Sequence, residues 1–195
     1  MSDAKPAENS ETSKQVKWSL KRKIVATITV LLIALLLVLY WQGGKPIHST
    51  TTISIAASPE VIFSAITDSD QGKQWIEGVV EIKPTTEGGF KKGAKAEILV
   101  IEQGREFRLN DEVIDFKTNE FVTFRIYSEL FNCKQTYSLK TDPNNPDQTL
   151  VEFQDTLQHL GLSRILAPFV IGIIQEKYQQ QLADLKNYIK EKQDK

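Results

Sequence analysis

The strongest hydrophobic pattern of the chain is an uninterrupted apolar stretch near the N-terminus. Residues 24–41, IVATITVLLIALLLVLYW, are eighteen consecutive residues without a charge. As an α-helix this stretch would be about 27 Å long, close to the hydrocarbon thickness of a bilayer. Tyr40 and Trp41 close it with amphipathic rings that favour the headgroup level. The pattern therefore predicts one transmembrane helix over 24–41.

Basic residues lie almost entirely on one side of this stretch. The residues that precede it include Lys14, Lys17, Lys21, Arg22 and Lys23, and only Lys45 follows closely. Because positive charge accumulates on the cytoplasmic side, we expect a single-pass protein of the cytoplasmic (inner) membrane with its N-terminus in the cytoplasm. The remainder would be extracytoplasmic, in the periplasm of a Gram-negative cell. A cleaved signal peptide is the alternative, but the apolar stretch is longer than the usual 7–15 residues or so, and no A-x-A-like site follows.

The segments that flank the apolar stretch carry no regular pattern. Residues 1–23 are polar and basic, and we expect a disordered cytoplasmic tail there. Gly43, Gly44 and Pro46 predict a short, loosely structured linker over 42–47. Such a short linker would keep the following domain, residues 48–192, close to the membrane surface.

From His48 onward the pattern changes to the alternation of a β-strand. Thr51, Ile53 and Ile55 share one face of a strand that we expect to end at Ala57. The following SPEVIFSAITD predicts a short helix with a serine cap and a proline in its first turn. A second short helical turn is expected over 70–75.

Six further strands are predicted, in succession. They are VVEIKP, AKAEILVIEQ, REFRLNDEVIDF, EFVTFRIYSE, CKQTYSLKT and QTLVEFQDTL. Gly104 and Asn119 mark tight turns between them, and DPNNPDQ is expected to interrupt strand structure. Strands joined by short turns indicate an antiparallel meander, because parallel strands need long crossover connections.

The last segment has the three-to-four spacing of a long amphipathic helix, which Pro168 either begins or kinks. Its first part, ILAPFVIGII at 165–174, is apolar on nearly all sides, whereas a helix that covers a sheet needs only one apolar face. Ten residues reach about 15 Å, half of a bilayer, so a second span is not expected. We expect this stretch to form a wall or gate of an apolar cavity that faces the membrane. Burial against the sheet is the alternative.

Composition and charge limit the function classes. A chain of 195 residues with 41% hydrophobic residues allows one main domain and an appendage. The formal net charge of −1 is not the electrostatic signature of a nucleic-acid-binding protein. Cys133 is the single cysteine, and His48 and His159 are 111 positions apart, so no metal-ligand spacing exists. We expect no metal, no cofactor and no nucleic-acid partner.

Several segments, taken in this order, resemble the START-like superfamily, also called SRPBCC, and within it the polyketide cyclase/dehydrase and lipid-transport group. They are TISIAASPEVIFSAITD, Trp75 before GVVEI, GGFKKGAKAEILV, and the terminal FVIGIIQEKYQQQLADLKNYIKE. The resemblance covers about residues 48–192. It implies an α+β helix-grip fold, in which a long C-terminal helix lies across a curved antiparallel sheet and leaves an elongated cavity for apolar molecules. Members include enzymes, carriers and interaction modules, so the fold alone does not choose a function.

Strand alternation and the resemblance suggest residues for this cavity. Gln135 shares a strand face with Cys133, and Asp155 shares one with Phe153, whereas Arg125 and Tyr127 could face either the cavity or solvent. A few polar groups converging in an apolar pocket would orient a ligand. The candidate ligand-binding residues are Trp75, Phe107, Arg125, Tyr127, Cys133, Gln135, Asp155, Phe169 and Ile173.

Three functions are compatible with this sequence. The leading hypothesis is a membrane-anchored, non-catalytic carrier or sensor of a lipid or other hydrophobic small molecule. The first alternative is an enzyme that resembles polyketide cyclases, in which Asp155, Arg125 and Tyr127 would act on the substrate. The second alternative is a protein-interaction module in which ILAPFVIGII meets an unidentified partner, and a cavity too small for a ligand would favour it.

Overall fold

The apolar N-terminal stretch forms a single long helix. The computed structural model describes residues 20–194, apart from the side chain of Ile171. Helix α1 spans Leu20–Gln42 and buries none of its side chains in the protein. By length and composition it could cross a membrane, either as an anchor or as a signal sequence. Leu20–Lys23, predicted as part of a disordered tail, are helical, and residues 1–19 of that tail lie outside the described residues.

The chain divides into two compact units, with the boundary between Leu37 and Val38. In the second unit, the last turn of α1 is followed by β1 (Ile47–Ile55), α2 (Pro59–Thr67), α3 (Ser69–Trp75), β2 (Val79–Pro84), β3 (Lys95–Glu102), β4 (Arg105–Lys117), β5 (Phe121–Tyr127), β6 (Phe131–Asp142), β7 (Asn145–His159), a 3-10 helix (Gly161–Ile165) and α4 (Ala167–Gln193). The linker is thus shorter than predicted, because α1 continues through Gln42 and β1 begins at Ile47.

All seven strands form one antiparallel sheet in the order β1-β7-β6-β5-β4-β3-β2. The predicted antiparallel sheet and long C-terminal helix are confirmed. Register shifts interrupt the β2–β3 and β4–β5 pairings, the latter between Val113 and Asp115. Bulges of this kind bend a strand and increase its twist, which contributes to the curvature of the sheet.

Local sequence signals account for the short helices and the turns. The Ser58 hydroxyl caps α2, and the Asp68 carboxylate caps α3 by accepting from the amides of Asp70 and Gln71 at 2.8 and 3.1 Å. Gly104 and Asn119 adopt φ angles of 76° and 62°, as the predicted turns require.

Two strand boundaries differ from the prediction. β1 ends at Ile55, two residues before Ala57, because Ser58 is already needed as the α2 cap. β7 begins at Asn145, inside the DPNNPDQ segment that we expected to interrupt strand structure. Proline is tolerated near the first residue of a strand, where few ladder hydrogen bonds are lost.

The core lies between α4 and one side of the sheet. Tyr178, Leu182, Leu185 and Ile189 form the buried stripe of α4 and pack in one cluster with residues of α2, β1, β5, β6 and β7. Pro168 sits in the first turn of α4, where it begins the helix and does not kink it. The buried cluster contains no residue of β2, β3 or β4 among the residues that the structure describes. Of those three strands only Phe116 of β4 packs against this cluster, so the concave face that they form is only partly covered.

Candidate ligand-binding cavity

The uncovered part of the concave face forms a partly open cavity of about 1220 Å³. Ligand pockets commonly measure about 300–1,000 Å³, so there is room for a sizeable molecule. Apolar side chains line it from several walls, among them Trp75, Ile98, Leu109, Phe124, Ile126 and Ile174. Trp75 closes the wall where α3 ends, since its indole N–H donates to the Ala65 carbonyl at 2.9 Å and fixes the ring.

One end of the cavity is covered by the loop between β2 and β3. Phe90 of this loop lines the cavity, and its ring lies 4.8 Å from the ring of Phe116 and 6.1 Å from that of Phe63, centroid to centroid. Offset and edge-on aromatic pairs of this kind add stability beyond the apolar area that they bury. The predicted turn at GGFKKG is thus held down by its phenylalanine.

The other end lies where β3 turns into β4. Phe107 and Leu130 line this end and are partly exposed. Lys177 of α4 reaches across to Glu102 of β3, with Nζ and Oε1 2.7 Å apart. Because both side chains are about half exposed, this ion pair contributes little stability, and it can open without a large cost.

One carboxyl group of the cavity wall lies between apolar neighbours. Asp111 lines the cavity, and its Oδ1 atom is buried without a hydrogen-bond partner among the described residues. Its neighbours across the strands are Ala96 of β3 and Ile126 of β5, which offer no polar atom from their side chains. Loss of water around it raises the pKa of Asp111 from 3.8 to about 7.

A second polar group of residues lies on β6 and β7. Cys133 and Gln135 line the cavity, and the Cys133 thiol donates to Asp155 Oδ1 at 2.6 Å. Asp155 Oδ2 is buried without a hydrogen-bond partner in the described part of the chain. Burial raises the pKa of the Asp155 carboxyl, although the hydrogen bond from Cys133 acts in the opposite direction. Nearby, the Gln181 amide donates to the Tyr137 hydroxyl at 2.7 Å, so this phenol is held in place from α4.

Comparison with known families decides the membership of the chain. The sequence model of the family described as "Polyketide cyclase / dehydrase and lipid transport" matches residues 46–190. The chain belongs to this family. A comparison with curated protein sequences found no match.

Solved structures confirm the START-like helix-grip fold of this family member. A START superfamily protein from Mycobacterium smegmatis superposes with a TM-score of 0.60 at 19% identity, covering 74% of this chain and 97% of that one. Ara h 8.0201 gives a TM-score of 0.60 at 13% identity, with 74% and 98% covered. CalU16 from Micromonospora echinospora gives 0.54 at 15% identity, with 75% and 78% covered. At these identities the likeness concerns the fold.

Four of the residues predicted for the site of this polyketide cyclase/dehydrase and lipid transport domain line the cavity. They are Trp75, Phe107, Cys133 and Gln135. Asp155 lies on the same face of the sheet, directly opposite Gln135 in the β6–β7 pairing, but it is buried beside Cys133 and does not line the cavity. That these residues bind a ligand stays a prediction.

The structure does not bring Arg125 and Tyr127 into the cavity. Phe124 and Ile126 of β5 line it, so the residues that alternate with them face the opposite side of the sheet. There the Arg125 guanidinium lies over the Tyr127 ring, 4.8 Å from its centroid. The prediction of these two as cavity residues is corrected.

Phe169 and Ile173 also lie outside the cavity. Both side chains are exposed, and among the side chains of ILAPFVIGII that the structure describes only Ile174 lines the cavity wall. The described part of the expected wall is therefore a single residue of that stretch. The reason is geometric, because one face of a helix turns toward the sheet and residues three to four positions apart share it.

Sequence reasoning missed Asp111, although a signal for it exists. In the strand REFRLNDEVIDF the residues Leu109, Asp111 and Val113 share one face, so a carboxyl interrupts an apolar row. Tyr178 and Gln181, which line the cavity from α4, were also missed. They lie three residues apart and share one face of the helix.

Proposed function

We propose that this protein is a membrane-anchored, non-catalytic binding domain that carries or senses a lipid or another hydrophobic small molecule. The observation that carries the proposal is the cavity of about 1220 Å³ with its mostly apolar walls. Apolar burial, at about 25 cal/mol per Å², would supply most of the affinity, and the few polar groups would orient the ligand. Family membership also favours a ligand-binding domain.

The size of the cavity argues against a domain that serves only protein interaction. We expected such a module to have a cavity too small for a ligand, and this one exceeds the common range of ligand pockets. An unidentified protein partner for the exposed surface is not needed to explain the fold.

An enzyme similar to polyketide cyclases is the second candidate, and Asp111 is the observation that favours it. A carboxyl group with a pKa of about 7 can both take and give a proton near neutral pH. The residues that we predicted for such a reaction are not assembled, since Arg125 and Tyr127 lie on the far side of β5. A bound molecule recovered chemically unchanged supports the carrier, and one converted to a new product supports the enzyme.

A cavity-filling substitution tests the binding function. Ala96→Phe should weaken the binding of an apolar fluorescent dye by at least about tenfold. Ala96 lines the cavity, and a phenyl ring at this position would occupy the space in front of Asp111. The measurement uses the full chain in lipid nanodiscs. Ala56→Phe is the matched control, since Ala56 is exposed and outside the cavity. Unchanged dye binding in Ala96→Phe, or no dye binding by the unmodified protein, would refute the proposal.

The membrane part of the proposal rests on α1 and on the turn that follows it. We infer a single-pass anchor in the cytoplasmic membrane with the domain on the extracytoplasmic side, as the charge distribution predicts. If residues 24–41 span the bilayer, Tyr40 lies at the headgroup level. The Arg164 guanidinium lies 5.3 Å from the centroid of the Tyr40 ring. A β-carbon on Gly43 would lie 1.8 Å from the Arg164 carbonyl oxygen, so the glycine permits this close approach.

An exposed apolar stripe lies next to that contact. It consists of Leu162, Leu166, Phe169 and Ile173, which are between 62% and 80% exposed. Leu166, Phe169 and Ile173 share one side of the start of α4, because they are three to four residues apart, and Leu162 precedes them in the 3-10 helix. Since Arg164 touches Tyr40, we propose that the stripe is immersed in the bilayer surface, where its exposure to water would end.

A cysteine label can measure this immersion. We expect an environment-sensitive dye on Phe169→Cys to show the blue-shifted emission of an apolar surrounding in nanodiscs, and the same dye on Val61→Cys to report water. Val61 is also exposed, but the nine residues of β1, about 30 Å of extended chain, separate α2 from the start of that strand at Ile47. The native Cys133 is buried and its pKa is raised by burial, so it should not be labelled. Equal, water-like emission at both positions would contradict the proposed immersion.

A further inference from the structure

One acidic group of the cavity, Asp111, lies at depth without a basic partner among the described residues. Six acidic and three basic residues line the cavity, and all of them except Asp111 are exposed. No lysine, arginine or histidine is among the buried residues in the part of the chain that the structure describes. Buried charges in proteins are normally paired, so the unpaired carboxyl of Asp111 calls for an explanation.

We propose that the cavity selects an apolar molecule that carries a single amine, and that the ammonium group of this molecule pairs with the carboxylate of Asp111. This inference rests on the proposed binding function and names the class of molecule that the cavity prefers.

The surroundings of Asp111 fit an ammonium head group. Ala96 stands beside it on β3, and a methyl side chain leaves space in front of the carboxyl. Oδ1 is buried and unpartnered, and an ammonium group brings both the missing hydrogen-bond donor and the missing positive charge. The apolar part of the molecule would then lie over Leu109, Phe124 and Ile126.

The same surroundings disfavour other head groups. A carboxylate would meet Asp111 as a like charge, with no buried cation to offset the repulsion. A hydroxyl group can share a hydrogen bond with Asp111 but brings no charge, so it leaves the carboxylate form uncompensated. The expected order of affinity for one alkyl chain is therefore amine, then alcohol, then carboxylate.

The preference for an amine should depend on pH through Asp111. Its pKa is about 7, so the carboxylate form needed for the ion pair prevails only above that pH. The titratable groups that interact with it are Glu112 on the same strand and Tyr137 on β6, and Tyr137 in turn interacts with Cys133 on β6 and Asp155 on β7. Burial raises the pKa values of Cys133, Tyr137 and Tyr178, so these three stay protonated and neutral at neutral pH.

Three probes that differ only in their head groups test the inference. Dodecylamine, dodecanol and dodecanoate each compete with an apolar dye for the cavity of the full chain in nanodiscs, and the dye that each probe displaces is measured. The same titration with Ala96→Phe in nanodiscs gives the signal that comes from partitioning of the probes into the bilayer, and this signal is subtracted. We expect dodecylamine to bind at least about tenfold more tightly than dodecanol at pH 8, with dodecanoate weakest. Asp111→Asn should lose the preference for the amine while it still binds dodecanol, and acidification to pH 5.5 should reduce the preference in the unmodified protein.

The outcomes separate the inference from the binding function. Equal displacement by the three probes would overturn the amine preference and leave the binding function standing. An amine preference that Asp111→Asn retains would also overturn it, because another group would then be responsible. Failure of every probe to displace the dye would count against the amine preference and against the binding function.

Discussion

Phe153→Ala should lower the free energy of unfolding by about 3–5 kcal/mol. Phe153 is 1% exposed, and its ring centroid lies 4.7 Å from that of Tyr137 and 5.0 Å from that of Tyr178. It thus joins β7 to β6 and to α4 at the point where the helix grips the sheet. Truncation to alanine would remove apolar surface that folding buries away from water, and it would leave a cavity that the closely packed neighbours cannot fill.

Denaturant unfolding of the full chain in detergent micelles measures this loss. Val61→Ala is the control, because truncating a side chain that is 41% exposed and lies outside the proposed membrane contact should change stability by no more than about 0.5 kcal/mol. Similar losses for the two variants would mean that α4 does not pack on β7 as described.

Asp111→Asn should remove a large part of the pH dependence of stability. Well below pH 3.8 the carboxyl is protonated in both the folded and the unfolded chain. As the pH rises toward 7, the unfolded chain releases the proton at its ordinary pKa of 3.8, whereas the folded protein keeps it until about 7. This contribution to stability is therefore present at low pH and is lost as the pH rises through the folded pKa. The full difference is on the order of 4 kcal/mol.

Unfolding curves recorded between pH 4.5 and pH 8 test this expectation. The stability of Asp111→Asn relative to the unmodified protein should increase with pH, because an amide does not titrate. Comparing the two proteins at each pH cancels the titration of all other groups. Asp147→Asn, at an exposed position, should instead run parallel to the unmodified protein. Parallel curves for Asp111→Asn would show that Asp111 is hydrated in the folded state.

Local pattern was enough to predict most elements of the fold. Alternation in β1 and β6, the Ser58 cap with Pro59 behind it, and the turns at Gly104 and Asn119 all act over a few residues. They depend on backbone conformation and on neighbours in sequence. The errors were at boundaries, as at Ala57 and in the DPNNPDQ segment, where neighbouring elements compete for the same residues.

The candidate site was harder to predict because it depends on contacts between distant segments. Alternation showed that Arg125 and Phe124 face opposite sides of β5, but not which side lies under α4. The apolar residues of ILAPFVIGII predicted a cavity wall or burial against the sheet, yet Phe169 and Ile173 are exposed because they lie on the side of α4 opposite Ala167 and Ile174. The exposed side makes sense only if something outside the domain covers it, and we propose the bilayer.

By itself, the sequence determined an apolar helix of bilayer length, an antiparallel sheet and a long final helix, because periodicity and capping are local properties that a single segment carries. The tertiary structure alone decided which side of the sheet encloses the cavity and that Asp111 stands in its wall with Oδ1 unpartnered among the described residues. The physical reason is that the partners of a buried group come from other strands. Ala96 and Ile126, which leave Asp111 unpaired, are brought beside it only when β3, β4 and β5 are joined in register.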